Sequence, residues 1–199
     1  MAPRASSALR REQLLAATAK VLSERGVAET RLADVAQELG ISPALIVYYF
    51  KSRHSLLMEA LRYSESCFYA AVFAHVKDLP GAREKLRAIV RVTCSPEPTM
   101  GLPAGWALWF ELWPQAMRHP QAARDRALLD EQWRVVIADI VRAGRAAGEI
   151  GPVDADRFAQ GFTALLDGLG VQVALADATV TSEQAVSLAD EFCDVMLTR

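Results

Sequence analysis

Hydrogen-bond donors gather around the starts of the short helices predicted near the N-terminus. Thr30 and Ser42 supply hydroxyl groups, and Lys51 and Arg53 supply charged donors just before or at the start of a long fourth helix. Free backbone N–H groups and side-chain donors at helix N-termini together favour phosphate oxygens. The spacing therefore predicts contacts with the backbone of a nucleic acid.

The predicted third helix has two faces of different character. Ile46 and Phe50, four residues apart, are expected to face inward onto Val35 and Leu39 and to fix the angle between the second and third helices. Small residues at its N-terminal end would let the backbone approach the major groove of DNA, whose width admits one helix. The residues expected to contact DNA are Thr30, Arg31, Ser42, Pro43, Ala44, Leu45, Val47, Tyr48, Tyr49, Lys51 and Arg53. Alternatively, the two tyrosines are core aromatics and the two cations are a solvated pair.

A second group of aromatic residues falls on one short predicted helix in the C-terminal half. Trp106, Phe110 and Trp113 share a face of this helix, and Pro114 is expected to kink it. Such a face could line a pocket for an apolar ligand, or for a cation held over the rings by cation–π attraction. Further candidate wall residues are Cys67, Phe68, His75, Met117, Trp133, Phe162 and Asp167. Aromatic residues at helical spacing also form ordinary cores, so both interpretations stay open.

Residue types that carry catalysis or bind metals are sparse and scattered. His54, His75 and His119 have no paired His or Cys at the spacing of metal ligands, and no nucleophile motif such as G-x-S-x-G occurs. The three cysteines are far apart, which indicates neither a disulfide framework nor a zinc site, and they are most simply buried thiols. We therefore expect no enzyme activity, no metal and no cofactor.

Helices must position these residues, because apolar residues recur at three- and four-residue spacing without strand alternation or internal repeats. Gly26 is expected to end a first helix, and Thr30 and Ser42 are expected to cap two short helices separated by Gly40 and Ile41. The remaining predictions are a first helix over 10–25, later helices over 52–77, 83–93, 104–117, 121–147, 154–177 and 182–197, and a proline-rich loop over 95–103. The predicted fold is all-α, with a three-helix helix-turn-helix domain over residues 1–53 and a larger helical bundle over 54–199.

The composition is that of an ordinary globular protein, with 52% hydrophobic and 23% charged residues. No apolar run is long enough to span a bilayer, and the N-terminus lacks the hydrophobic segment of a secretory signal, so we expect a cytoplasmic protein without membrane contact. The net charge is −2, but residues 1–53 hold eight basic against five acidic residues, and the rest hold 14 against 19. A basic head on an acidic body is typical of a modular DNA-binding protein.

The segment TRLADVAQELGISPALIVYYFKSRHSLL, residues 30–57, resembles the helix-turn-helix of the TetR family of transcriptional regulators. The resemblance rests on several fixed spacings: a Thr, an apolar residue before Ala, Gly-apolar-Ser, an aromatic-rich third helix ending in Phe, then a polar residue, Ser and a cation. The matching residues are Thr30, Val35, Ala36, Gly40, Ile41, Ser42, Tyr48, Tyr49, Phe50, Lys51, Ser52 and Arg53. Family members often carry Gly-Thr and Tyr where this chain has Ala44, Leu45 and Val47. Base readout would then depend on thymine methyl contacts, on Tyr48, or on residues such as Arg31 and Gln37.

The C-terminal half, through GWALWFELWPQAMRHPQ and EQWRVVIADIVRAGRAAGEIGPVDADRFAQGFTALLDGLGVQVAL, is similar to the C-terminal domain of BetI-type TetR repressors. The resemblance implies that the protein binds a palindromic double-stranded operator as a homodimer. It also implies that an apolar or cationic small-molecule effector releases the protein from the operator. The resemblance does not identify this effector. The two recognition helices would lie about one DNA turn, roughly 34 Å, apart. The last two helices would form the dimer interface, helped by Gly168 and Gly170. The expected interface residues are Leu165, Leu169, Val173, Leu188, Phe192 and Met196.

Two other functions stay open at this point. The departures at Ala44, Leu45 and Val47 permit a helical small-molecule-binding protein without functional DNA binding. An enzyme would require a pocket with paired titratable groups.

Overall fold

The computed structural model describes residues 3–95 and 105–198. Within these ranges every regular element is an α-helix, which confirms the predicted all-α class. The helices are α1 Pro3–Glu29, α2 Leu32–Leu39, α3 Pro43–Phe50, α4 Arg53–Lys77, α5 Ala82–Thr93, α6 Gly105–Arg118, α7 Pro120–Ala146, α8 Ala155–Ala174 and α9 Ser182–Met196. The predicted proline-rich loop over 95–103 lies, after its first residue, outside the described residues.

Two glycines determine where the N-terminal helices bend and end. α1 breaks at Gly26 (φ 75°, ψ 169°), a conformation open essentially to glycine alone, and one further turn continues to Glu29. Gly40 follows α2 in the left-handed conformation (φ 62°, ψ 37°), as predicted. Ser42 precedes α3 in extended conformation and Pro43 opens it, also as predicted.

The predicted start of α1 and the predicted N-cap of α2 are both wrong. α1 begins at Pro3 rather than Arg10, because the intervening residues include the strong helix formers Ala, Leu and Arg. The N-cap of α2 is Arg31, whose backbone N–H donates to the Asp34 carboxylate at 2.7 Å. Thr30 is fully buried instead, because the extra turn of α1 brings its hydroxyl within 2.8 Å of the Gly26 carbonyl oxygen, to which it donates.

Packing divides the chain into two compact units. The first comprises Met1–Phe68 with Gly101–Arg126, and the second comprises Tyr69–Met100 with Ala127–Arg199. The first unit thus holds α1, α2, α3, the first part of α4, α6 and the start of α7. The predicted boundary after Arg53 divides the chain by expected task rather than by packing, and it stays a prediction.

Two apolar clusters hold the first unit together. In the head cluster, Leu14 of α1 and Val35 of α2 are buried with Ile46 and Phe50 of α3, and Leu39 packs at its edge. The inward face predicted for α3 is therefore confirmed. The second cluster joins α1, α4 and α6 through Leu22, Leu57, Leu61, Leu108 and Leu112.

In the second unit, α8 and α9 pack on each other and on α5. Phe158 and Phe162 of α8 stack with ring centroids 5.3 Å apart, and Phe192 of α9 lies 5.7 and 6.3 Å from them. Arg87 of α5 donates to the Asp190 carboxylate of α9 at 3.0 Å. Among the described helices, none combines the length and the apolar character needed to cross a membrane.

Candidate nucleic-acid interface

α3 presents the outward face that the sequence predicts. Tyr48 is 70% exposed and Val47 is 42% exposed, whereas Ile46 and Phe50 beneath them are at most 2% exposed. The exposed residues of this face are Ser42, Pro43, Ala44, Val47 and Tyr48, with Leu45 and Tyr49 half-buried at its flanks. The apolar side fixes α3 on the head while its other side stays open to a partner.

The C-terminal end of α3 carries an ammonium group beside a phenol ring. Lys51 adopts a positive φ of 65°, and its backbone N–H donates to the Val47 carbonyl oxygen at 2.9 Å. Its ammonium donates to the Tyr48 carbonyl oxygen at 3.0 Å and lies 5.5 Å from the centroid of the Tyr48 ring. The Tyr49 ring meets that of Tyr48 edge to face at 5.4 Å. An exposed cation and an exposed hydroxyl at this end can both reach phosphate oxygens.

The two residues that precede α2 differ in their exposure to solvent. Arg31 is exposed, so a phosphate contact by its side chain remains open. Thr30 is fully buried and its hydroxyl is bound to Gly26, so its side chain meets no DNA in this conformation. The phosphate contact predicted for the Thr30 hydroxyl therefore does not fit the structure.

Arg53 also has partners inside the head. Its Nε donates to the Thr30 carbonyl oxygen at 2.7 Å, and one terminal nitrogen donates to the carbonyl oxygens of Val27 and, at 3.3 Å, Ala28. The guanidinium thus binds the last turn of α1. A phosphate contact by Arg53 stays a prediction, but this geometry points to another task.

Part of the positive charge of the head is paired with carboxylates. Lys20 forms an ion pair with Glu38 at 2.6 Å, and Arg25 forms one with Asp34 at 2.8 Å. The hydrogen bond to Glu38 raises the pKa of Lys20 above its ordinary value. These ion pairs offset part of the charge excess of residues 1–53, whereas Lys51 beside α3 is exposed and donates to a carbonyl oxygen rather than to a carboxylate.

The aromatic residues of α6 form the contiguous cluster that their spacing predicts. The ring centroids of Trp106 and Phe110 are 6.0 Å apart, those of Trp106 and Trp113 are 6.0 Å apart, and those of Phe110 and Trp113 are 6.3 Å apart. The guanidinium carbon of Arg126 lies 5.0 Å from the centroid of the Trp113 ring. The cluster thus already carries one cation–π contact.

Sequence reasoning missed Trp109 as a member of this cluster. Its ring meets Trp106 edge to face at 4.7 Å and Phe68 of α4 at 5.2 Å. Trp109 therefore connects Phe68, which was predicted, to the α6 rings. The three-residue spacing from Trp106 was the available signal, since such neighbours touch on a helix surface.

Comparison with known proteins identifies both parts of the chain. Residues 14–60 match the family model of bacterial regulatory proteins of the tetR family, and residues 82–198 match that of the BetI-type transcriptional repressor C-terminal domain. The chain belongs to the TetR family. The TetR family resemblance of the helix-turn-helix and the BetI-type resemblance of the C-terminal half are both confirmed, and the protein is a ligand-responsive transcriptional regulator.

Similar proteins span nearly the whole length of this TetR-family chain. The HTH-type transcriptional regulator BetI of Burkholderia thailandensis is 31% identical over 192 residues, which is 95% of this chain and 94% of that protein. BetI of Agrobacterium fabrum is 30% identical over 190 residues, which is 95% of this chain and 88% of that protein. The structure of a putative transcriptional regulator from Saccharomonospora viridis in complex with choline has a TM-score of 0.83 and 28% identity, covering 96% of this chain and all of that one.

The other residues predicted to bind the effector of this TetR-family regulator belong to both units. Met117 is 88% exposed, and Cys67 is half-buried. In the second unit, Trp133 stacks on Tyr69 at 4.9 Å and on Phe73 at 5.3 Å. Phe162 lies in the aromatic core of the same unit, His75 is exposed and Asp167 is half-buried. Their part in an effector site stays a prediction.

The residues predicted for the TetR-type dimer interface fall into two groups. Leu169 and Val173 are buried within the single chain, and Phe192 is half-buried against the phenylalanines of α8. Leu188 and Met196 of α9 are exposed, at 45% and 39%, and Leu165 of α8 is half-buried. The outer group is the part of this surface open to a second subunit.

The isolated histidines and cysteines show one unexpected contact. His54 and His119 lie edge to face, with ring centroids 5.3 Å apart, although nothing in their sequence spacing pairs them. No group of three or more His, Cys, Asp or Glu in the described part of the chain could hold a metal ion. Burial raises the pKa of Cys94 to about 11 and that of Cys193 to about 12, so both are neutral thiols near pH 7. Of the three predicted buried thiols, Cys67 is only half-buried.

Proposed function

We propose that this TetR-family regulator is a repressor that binds a palindromic operator as a homodimer and leaves it when an organic cation or apolar effector binds. The observation that carries the proposal is the open outer face of α3 above the fully packed Ile46 and Phe50. A helix held in this way can be inserted into the major groove without losing its own core.

α3 would enter the groove with its N-terminal end first. Pro43 and Ala44 are small and exposed, so the backbone can come close to the base edges. Val47 is suited to contact with thymine methyl groups, and the Tyr48 hydroxyl can bond to a base or a phosphate. Lys51 and Arg31 would bind phosphates and set the register of the protein on DNA.

The second copy would dock on the outer surface of α8 and α9. Leu188, Val195 and Met196 of α9 expose apolar side chains to water in the single chain. A Cβ added at Gly168 of α8 would meet nothing within 4 Å, so a partner helix could approach closely there. A two-fold dimer built on this surface would present two recognition helices to the two halves of a palindrome.

The aromatic cluster of α6 is the proposed effector site, and its chemistry favours an organic cation. Ring faces attract cations, and the guanidinium of Arg126 over Trp113 is an example within this chain. The similar regulator from Saccharomonospora viridis was solved in complex with choline, which is an organic cation.

Release requires that the effector bind the free and the operator-bound forms differently. A hundredfold loss of operator affinity needs about 2.7 kcal/mol of coupling, and operator DNA must weaken effector binding by the same factor. The proposed effector state is a dimer whose two recognition helices are wrongly spaced for the operator. A repressor must reach the genome, so we propose that the protein acts in the cytoplasm. Operator binding and release require no catalysis, so we expect no enzymatic activity.

Selection of bound fragments from genomic DNA, followed by fluorescence anisotropy, tests the proposal. We expect the purified protein to be a dimer and to enrich an inverted repeat, with millimolar choline as the probe lowering its operator affinity. Fragments without a shared sequence, or a monomer in size-exclusion chromatography, would contradict operator recognition by a dimer. If the operator is bound but choline changes neither operator affinity nor thermal stability, the choice of an organic cation such as choline is wrong and the DNA-binding part stands.

A further inference from the structure

We propose that Arg53 is a positioning residue for the recognition helix α3 rather than a phosphate ligand. Its guanidinium binds the last turn of α1 and thereby fixes the start of α4, which only two residues separate from the end of α3. The inference rests on the proposed operator binding, and it assigns to Arg53 a task different from the one implied by the TetR pattern.

The acceptors of Arg53 are carbonyl oxygens that a helix end leaves without partners. The last four carbonyl groups of an α-helix have no intrahelical donor, and cations stabilise that end. α1 has no basic residue in its own last turn. Arg53 supplies the cation from α4, with Nε on Thr30 and a terminal nitrogen on Val27 and Ala28.

The turn that accepts these bonds is itself held in place. Thr30 donates both its hydroxyl, at 2.8 Å, and its backbone N–H, at 3.3 Å, to the Gly26 carbonyl oxygen, and its side chain is fully buried. Arg53 therefore meets a fixed arrangement of acceptors rather than a fraying helix end. Turning the guanidinium toward a phosphate would break these hydrogen bonds and leave the carbonyl groups to find other donors.

The connection from Arg53 to α3 is short and specific. Lys51, with its positive φ, and Ser52 are the two residues between Phe50 and Arg53, and the Ser52 N–H donates to the Phe50 carbonyl oxygen at 2.7 Å. A connection this short transmits the position of Arg53 directly to the end of α3. Displacing Arg53 would therefore tilt α3, and with it Val47 and Tyr48.

A second arginine makes a parallel connection from α1. The guanidinium carbon of Arg11 lies 4.4 Å from the centroid of the Phe50 ring, and Arg11 also forms an ion pair with Glu59 of α4. The Ser55 hydroxyl donates to the same Glu59 carboxylate at 3.1 Å. α1 is thus bonded to α4 through Arg53 near its C-terminal end and through Arg11 nearer its N-terminal end, with Phe50 of α3 between them.

The test compares Arg53→Gln and Arg53→Lys with the parent and with Lys51→Ala, a neighbouring exposed cation. Affinity for operator and for random DNA is measured over a series of salt concentrations, and thermal unfolding confirms that each variant is folded. Losing one phosphate contact makes the slope of log affinity against log salt about one unit shallower and weakens all sequences alike. We expect that pattern for Lys51→Ala.

For Arg53→Gln we expect an unchanged salt slope, random-DNA affinity close to that of the parent, and operator affinity about tenfold lower. A slope about one unit shallower in Arg53→Gln, with Arg53→Lys binding like the parent, would overturn the inference. If the parent binds no DNA, the proposed function fails by itself, and hydrogen exchange then decides the role of Arg53. Faster exchange of the amide groups of residues 27–30 in Arg53→Gln than in Lys51→Ala would support positioning, and equal exchange would refute it.

Discussion

Helices α3 and α6 are both rich in aromatic and apolar residues, but they distribute them in opposite ways. α3 buries Ile46 and Phe50 in the head and leaves Tyr48 exposed to solvent. The leucines of α6 pack against α1 and α4, and most of its aromatic rings contact one another. An exposed aromatic residue is available to a partner from outside the chain, whereas a cluster of touching rings must be opened or joined by a ligand. The first arrangement suits DNA reading and the second suits effector sensing.

The largest expected effect lies on the buried side of α3. Phe50→Ala should lower the free energy of unfolding of the head by roughly 3 to 5 kcal/mol, because it removes a fully buried ring. It should abolish operator binding while leaving the dimer intact, since the proposed interface lies on α8 and α9. Urea unfolding, anisotropy with operator DNA and size-exclusion chromatography measure the three quantities. Normal operator binding by the variant would show that the buried side does not support the exposed one.

The next effect concerns the ring cluster of α6. Trp113→Ala should reduce the response to effector by up to about 2.7 kcal/mol, the coupling required for a hundredfold change, while ligand-free operator affinity stays nearly unchanged. Operator titrations with and without choline measure the response. Ala107→Ser, at an exposed position of the same helix that is not a candidate wall residue, is the matched control and should respond like the parent. If Trp113→Ala also responds like the parent, the rings are ordinary core.

Two glycines near these helices allow a paired measurement of backbone strain. Gly26→Ala should destabilise the protein by about 2 to 3 kcal/mol, because its φ and ψ are open essentially to glycine and the new Cβ would lie 2.8 Å from Oε1 of Glu111 on α6. Gly40→Ala should cost about 1 to 2 kcal/mol, since it is left-handed but has nothing within 4 Å. Chemical unfolding of the two variants in parallel measures both losses of stability. A larger loss for Gly40→Ala than for Gly26→Ala would contradict the expected order.

The smallest effect on stability is expected on the exposed side of α3. Tyr48→Ala should change the free energy of unfolding by no more than about 0.5 kcal/mol, because the side chain is mostly in water. Operator affinity should nevertheless fall about tenfold, or roughly 1.4 kcal/mol. Leu128→Ala, an exposed apolar position on α7, is the control and should leave operator affinity unchanged. A Tyr48→Ala variant that binds operator like the parent would remove Tyr48 from the interface.

The sequence predicts those features that depend on neighbours within one helix or turn. Ile46 and Phe50 share a face because they are four residues apart, and Gly40 ends α2 because of its own backbone freedom. The contacts of Thr30 and Arg53 could not be predicted in the same way. Both depend on one extra turn of α1 beyond Gly26, and the partners of Arg53 lie 23 to 26 residues away.

The same limit applies to the aromatic cluster. The spacing of Trp106, Phe110 and Trp113 was enough to predict that their rings share a face. The contacts of Trp109 with Phe68 and of Arg126 with Trp113 join different helices, so only the fold brings them together. Local periodicity shows which side of a helix is occupied, but it does not identify the tertiary partner.

The division of α6 into two faces has an evolutionary consequence. Leu108 and Leu112 pack the helix against α1 and α4, so most substitutions there would destabilise the fold. The rings on the other side, such as Phe110 and Trp113, are less strictly required to hold α6 in place. With the effector bound at the rings, as proposed above, substitutions on this side would change the recognised effector while the leucine face keeps the same attachment to the DNA-binding head, so one scaffold could acquire new inducers without redesign of its operator recognition.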